Sequence, residues 1–234
     1  FVRVRVRGLA PRAGDLQFID GERVYNAQVR PSDSLPDDPL ICGVDVARGG
    51  GDWNVCRFRR GLDARSIPAI KIPGEQTRDS TLLVSRLAEV LSDKRVDRRV
   101  TYMFVDAALG GPVVNRLQQL GHKNVVEINF GSQSPDPHQA NMRAYMWQRM
   151  KDWLILGAIP RDQRLETDLT GPGCKHNSRD QLLIESKEDM AKRGLDSTDD
   201  GDALALTFAQ NVAPPRKQYS AIPAAYAGGG TAWS

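Results

Sequence analysis

The sequence predicts an α/β fold: a mixed sheet in which an antiparallel three-strand meander is followed by parallel strands, with helices on both faces. Three observations predict it. Residues 40–46 are an almost continuous apolar run, the pattern of a strand covered on both faces. A glycine-rich turn over residues 47–52 leads into a second strand-like segment at 54–60, and a third fits 66–72, so these strands form a meander. Helical and strand periods then alternate: Leu82, Leu83, Leu87, Val90 and Leu91 precede a strand at 100–105, and Val113, Leu117 and Leu120 precede another at 125–130. A crossover helix returns the chain parallel to the first strand, so the first and fourth strands become neighbours.

The remaining segments fall into place around that sheet. Val2, Val4 and Val6 alternate with Arg3, Arg5 and Arg7 as in a strand, and Pro31, Pro36 and Pro39 punctuate a polar connection. Residues 1–39 are therefore expected to be a strand and linker, and an opening at Phe1 with a strand already under way reads as a piece of a longer chain. Tyr145, Met146, Met150, Trp153 and Leu154 mark a long helix over about 139–156. After an irregular, glycine-containing region, a strand is expected at 181–185 and a helix at 199–212. The segment 213–234, with Pro214, Pro215 and the run Gly228-Gly229-Gly230, is poor in core-forming residues and is expected to be a flexible tail. That leaves 40–212 as one domain.

Composition narrows the function. With 234 residues, 40% of them hydrophobic, the chain can build one sizeable core. No apolar stretch approaches the roughly 20 residues that span a bilayer. Cys42, Cys56 and Cys174 are odd in number and form no Cys-x-x-Cys pair, which speaks against a disulfide framework or a structural zinc and fits a reducing cytoplasm. The net charge of +3 does not announce a nucleic-acid binder. Basic groups such as Arg3, Arg5 and Arg7, or Arg57, Arg59 and Arg60, read singly as solvated faces; beside a metal site they favour a polyanionic substrate.

The acids carry the chemistry. Asp45 closes the first strand, Asp106 closes the fourth, and Asp199, Asp200 and Asp202 open the last helix. A carboxylate at the end of a buried strand must find a cation, a basic partner or a hydrogen-bond network. If the first and fourth strands are neighbours, Asp45 and Asp106 converge at one sheet edge. Asp199 and Asp202 share a helix face with Leu206 and Ala209, which turns Asp202 inward, whereas Ser197 and Asp200 match a capping box that makes Asp200 the helix-end acid. Hard oxygen ligands that leave coordination positions open suit two Mg²⁺ or Mn²⁺ ions acting on a phosphodiester. Asp45, Asp106 and Asp202 are the candidate catalytic and metal-binding residues, with Asp199 beside Asp202 on the same helix face; Lys187 and Arg48 are candidate phosphate contacts. Mg²⁺-dependent or Mn²⁺-dependent hydrolysis of a phosphodiester is the expectation.

Strung together, the motifs resemble a known family. Gly43-Val44-Asp45-Val46-Ala47-Arg48-Gly49-Gly50, the segment Phe104-Val105-Asp106, and the segment from Glu185 to Gly194 leading into Ser197-Thr198-Asp199-Asp200-Gly201-Asp202-Ala203-Leu204 look like the nuclease domain of the large terminase subunit of tailed bacteriophages. The segment at residues 3–8 and Asn141-Met142-Arg143-Ala144 look like it too. The resemblance implies a ribonuclease H-like fold and an endonuclease that cuts concatemeric double-stranded DNA during packaging in the host bacterial cytoplasm. By position it makes Asp45, Asp106 and Asp202 the metal-binding acids and Asp199 an auxiliary one, and it implies the portal protein and the small terminase subunit as partners. A preceding ATPase domain is also implied, but the Gly-x4-Gly-Lys-Ser/Thr phosphate loop occurs nowhere in this sequence, so no ATP hydrolysis is expected of it. A ribonuclease H-like resolvase or transposase, or a non-catalytic docking module of a packaging motor, would share the acids; cleavage of plain and branched DNA separates these readings.

Overall fold

The computed structural model describes residues 17–35, 37–47, 49 and 51–213; the strand expected at residues 1–7, Arg48 and the tail beyond 213 lie outside them. Leu40–Asp45 (β1), Trp53–Arg60 (β2), Ile70–Pro73 (β3), Val100–Asp106 (β4) and Val125–Ile128 (β5) form a five-stranded sheet in the order β3-β2-β1-β4-β5. β1 and β2 pair antiparallel, as do β2 and β3, whereas β1 pairs parallel with β4 and β4 with β5. This is the predicted meander followed by parallel strands. A short hairpin, Cys174–His176 (β6) with Leu182–Ile184 (β7), stands apart as a second sheet. The helices are Gly21–Val29 (α1), Thr81–Ser92 (α2), Ala107–Gln119 (α3), Met142–Trp153 (α4), Gln163–Thr170 (α5), Lys187–Lys192 (α6) and Asp199–Leu206 (α7).

Strand alternation sorts the core into two layers. Leu40, Cys42 and Val44 of β1, with Met103 and Val105 of β4, pack on Leu83 and Leu87 of α2 and Val113 and Leu117 of α3. Ile41 and Phe104 face the other way, onto Met146, Trp147 and Met150 of α4, Leu165 and Leu169 of α5, and Leu204 to Leu206 of α7. Because side chains alternate along a strand, Gly43 and Asp45 share the face of Ile41, Asp106 that of Phe104, and Arg57 and Arg59 the face opposite Cys56 and Phe58. That face carries every candidate acid, and α7 lies directly on it. A Cβ at Gly43 would sit 2.0 Å from the Ala203 carbonyl oxygen and 2.9 Å from Leu206 Cβ, so only glycine lets helix and strand approach this closely.

Several boundaries differ from the sequence reading. The polar connection expected before Leu40 contains α1, capped by Asp20, which accepts from the Arg23 N–H at 2.8 Å, and it buries Val24 and Ala27 beside Phe18 and Ile19. Its apolar residues are too few and too spaced by charge to stand out. Likewise α5 lies in the stretch read as irregular, because Leu165 and Leu169 are its main apolar signal. β3 is shorter than expected, α4 starts where Asn141 accepts from the Ala144 N–H at 2.9 Å, and α7 ends before 212. α3 begins at Ala107, its first turns disguised by Gly110, Gly111 and Pro112. Among the described residues no helix is long and apolar enough to cross a membrane.

Candidate metal centre

The parallel pairing of β1 and β4 sets Val44 beside Val105, so Asp45 and Asp106, the next residue on each, end side by side at one edge of the sheet. α7 brings Asp199 and Asp202 down onto that edge, and α6 contributes its first residue, Lys187. The Lys187 Nζ lies 3.2 Å from Asp45 Oδ2, 3.4 Å from Asp199 Oδ1 and 3.7 Å from Asp202 Oδ2. The structure thus brings Asp45, Asp106, Asp199, Asp202 and Lys187 together; Arg48 is outside the described residues. The acids are 4%, 8%, 2% and 0% exposed, in that order, which makes their mutual repulsion expensive.

Each charge responds to this crowding. Burial pushes the Asp45 carboxyl up to about 8, with Lys187 pulling it down and Asp202, Asp199 and Asp106 adding to the rise. Burial also raises Asp106, partly offset by the backbone N–H of Ala108 and the charge of Lys187. For Asp202 burial is outweighed by Arg143 and Lys187, so its carboxyl is held below the usual range. Lys187 is the counterpart: burial alone would lower its ammonium, but Asp45, Asp202 and Asp199 hold it above the usual lysine range.

A further layer of side chains fixes the acids. Asp202 Oδ1 accepts from Arg143 Nε at 3.0 Å and from Trp147 Nε1 at 2.7 Å, and its Oδ2 accepts from the Thr198 hydroxyl at 2.8 Å. Arg143 is anchored in turn on the Glu185 carbonyl at 2.7 Å. Both carboxylate oxygens are thus held, since Oδ2 also accepts from Arg143 Nη2 at 3.3 Å with Lys187 beyond it, and the side chain has a fixed orientation. Sequence reasoning missed Arg143 and Trp147 in this role; the available signal was an arginine within the buried face of α4, four residues before a tryptophan.

The Ser197–Asp200 capping box does not form. Thr198 is the N-cap of α7, and the N–H groups of Asp200 and Gly201 are received by Asp168 of α5, at 2.8 and 3.2 Å. Ser197 instead donates its hydroxyl to Asp199. Asp200 is fully buried and pairs with Arg57 and with Lys71 Nζ, the latter at 2.9 Å. Arg57 therefore serves the interior, and Arg59 does too, bonding the Thr207 carbonyl at 2.7 Å over the Phe208 ring. Neither is the solvated strand-face charge read from the sequence.

The donors fit hard divalent cations. All four are carboxylates, the ligand type of Mg²⁺ and Mn²⁺. Among the described residues no three acids or histidines stand in ligating positions around a common point; the ammonium of Lys187 lies between the carboxylates instead. Even with that cation in place Asp45 remains raised, chiefly by burial and further by the neighbouring acids, so its charged form gains from added positive charge.

No family model matches the sequence, and no curated protein matches it. Solved structures do. A mutant of the large terminase subunit of bacteriophage Sf6, solved with calcium, is similar over 81% of this chain and 97% of its own, at 12% identity and a TM-score of 0.65. The nuclease domain of the large terminase subunit of Sf6 gives 83% and 99% coverage, 13% identity and 0.63. The large terminase nuclease of the thermophilic phage G20c gives 76% and 86%, 16% identity and 0.53. At such identities the likeness is one of fold: the chain has the ribonuclease H-like fold of large terminase nuclease domains.

Proposed function

We propose that this chain is the metal-dependent endonuclease domain of a viral genome-packaging terminase, cutting double-stranded DNA by two-metal phosphodiester hydrolysis. The carrying observation is the set of four buried carboxylates where β1, β4 and α7 meet, three of them (Asp45, Asp199 and Asp202) gathered around Lys187 and Asp106 beside Asp45. The fold supports the reading, and a Sf6 relative with a TM-score of 0.62 was solved with manganese. Asp45, Asp106, Asp202 and Asp199 would hold two Mg²⁺ or Mn²⁺ ions, which, when bound, supply Lewis acidity and charge neutralisation. Arg143, Trp147 and Thr198 hold Asp202 in orientation. Lys187, its side chain 41% exposed, neutralises the acids and is a proposed phosphate contact; Arg48, three residues after Asp45 in the sequence, is a second. Portal protein and small terminase subunit are the proposed partners and the host bacterial cytoplasm the proposed location.

The test is cleavage of plain plasmid DNA by the chain with Mg²⁺ or Mn²⁺ and with chelator. Metal-dependent cutting that disappears in Asp45→Ala and in Asp106→Ala is expected. Cutting that persists in either variant would remove that residue from the site, and absence of any cutting would leave only a docking role.

A further inference from the structure

Arg164, the second residue of α5, stands beside the carboxylate cluster with a guanidinium that makes two long ion pairs and no hydrogen bond. Its side chain is 35% exposed, its Nη2 lies 3.8 Å from Asp199 Oδ2 and its Nε 3.8 Å from Asp200 Oδ2, both too long for hydrogen bonds. The Nε is itself buried and has no hydrogen-bond partner. Other arginines of this layer spend their donors within the chain: Arg57 on Asp200 and Asp162, Arg59 on Thr207, Arg65 on the carbonyls of Gln28 and Arg30, Arg143 on Asp202 and Glu185. Buried donors without acceptors are costly, and the partly exposed guanidinium makes no hydrogen bond within the chain, so it is open to an acceptor from outside.

The neighbouring acids have other cations, although Asp200 Oδ2, which faces the Arg164 Nε, accepts no hydrogen bond itself. Asp200 has Arg57 and Lys71, and Asp199 takes the Trp53 N–H at 2.9 Å, the Ser197 hydroxyl and the Lys187 ammonium. Arg164 is thus held near them by charge alone, and swinging outward breaks no hydrogen bond. At the rim of a cluster that repels polyanions, a planar fork of free donors matches two oxygens of a phosphodiester.

Resting on the nuclease reading above, we infer that Arg164 is a DNA-contacting residue, receiving a backbone phosphate at the α5 side of the carboxylate cluster through bidentate hydrogen bonds. The test is steady-state cleavage of a linear duplex with Mn²⁺ at several salt concentrations, using the whole chain and the variants Arg164→Ala and Arg164→Lys, with Mn²⁺ affinity followed by calorimetry. For Arg164→Ala, KM should rise roughly tenfold, kcat should stay within about threefold, and the salt slope should fall by about one phosphate contact. Arg164→Lys should lie between, since an ammonium keeps the charge and loses the fork. Mn²⁺ affinity should not move.

Unchanged KM and salt slope would overturn the inference. So would a loss of kcat or Mn²⁺ affinity at unchanged KM, which would make Arg164 a positioning partner of Asp199. Should melting show that Arg164→Ala is unfolded, Arg164→Gln carries the same comparison with the stem retained. A wild-type chain that cuts DNA while Arg164→Ala behaves identically defeats this inference alone; a wild-type chain that neither binds nor cuts DNA defeats the nuclease reading with it.

Discussion

Asp45 shows at the scale of one residue how a site can oppose the stability of the fold that holds it. Its carboxyl rises from an ordinary 3.8 to about 8, so the folded chain binds this proton more tightly than the unfolded chain does. The sign follows: stability is greatest below pH 4 as far as this group is concerned, and is lost as pH rises through the interval up to 8. Metal-free Asp45→Asn should therefore be more stable than the parent at pH 8, with the difference closing toward pH 4. Urea melts in chelator across that range measure it, and equal stability at pH 8 would contradict the account. The neighbouring acids on α7 separate differently. Asp200→Asn strips a partner from Arg57, itself 3% exposed, and should cost on the order of 3 kcal/mol as a broken buried ion pair, more than the loss of a helix cap. Asp202→Asn keeps an acceptor for Trp147 and Arg143, and should lose cleavage with a smaller loss of stability. Melting temperature and cleavage rate, measured on both variants, decide between this division and its reverse.

Elements explain why those residues meet, and why some were legible and others were not. β1 and β4 could be read from the sequence because strands buried on both faces are apolar throughout, so an aspartate at the end of each stands out. α7 was legible as a helix, but its register was not wholly so. A local Ser-x-x-Asp pattern competed with an acceptor 32 residues away, Asp168, which receives the α7 N–H groups across from α5. Since α5 was hidden by its few apolar residues, Asp168 and Arg164 were hidden with it, as was the pairing of Asp200 with Arg57 of β2, which lies on the sheet face that α7 covers. Contacts between distant segments leave no local spacing to read. The close approach of α7 to β1 gives its own prediction. Gly43→Ala puts a methyl group 2.0 Å from the Ala203 carbonyl, which must move, and should cost about 1–3 kcal/mol as overpacking. Because that movement lifts Asp199 and Asp202 from Asp45, cleavage should fall with it. A stable Gly43→Ala chain with full activity would show that the α7 position is not critical to the site.

Over the whole molecule, the order of elements was the strongest sequence signal, since a meander followed by helix-strand alternation admits few sheets, and the sheet found is the one expected. How charge is deployed was far less legible. A net charge of +3 conceals an interior where Arg57, Arg59 and Arg143 are consumed by carboxylates and carbonyls, leaving Lys187 and Arg164 among the basic groups beside the site with exposed surface. Few phosphate contacts and no element identified as reading base edges imply binding that is weak, indifferent to sequence and sensitive to salt. Each phosphate neutralised contributes about 0.9 to the slope of log affinity against log salt, so two or three contacts predict a slope of about −2 to −3. ATP should leave both binding and cutting unchanged, because the sequence contains no phosphate-binding loop of the Walker type. Anisotropy titrations of unrelated duplexes, followed by cleavage with and without ATP, test these expectations together. Strong preference for one duplex would mean that base recognition resides in this chain, and ATP-stimulated cutting would mean that a nucleotide site has escaped the motif. A flat salt response would be the most damaging result, since it would remove the phosphate backbone as the partner for which Lys187 and Arg164 are positioned.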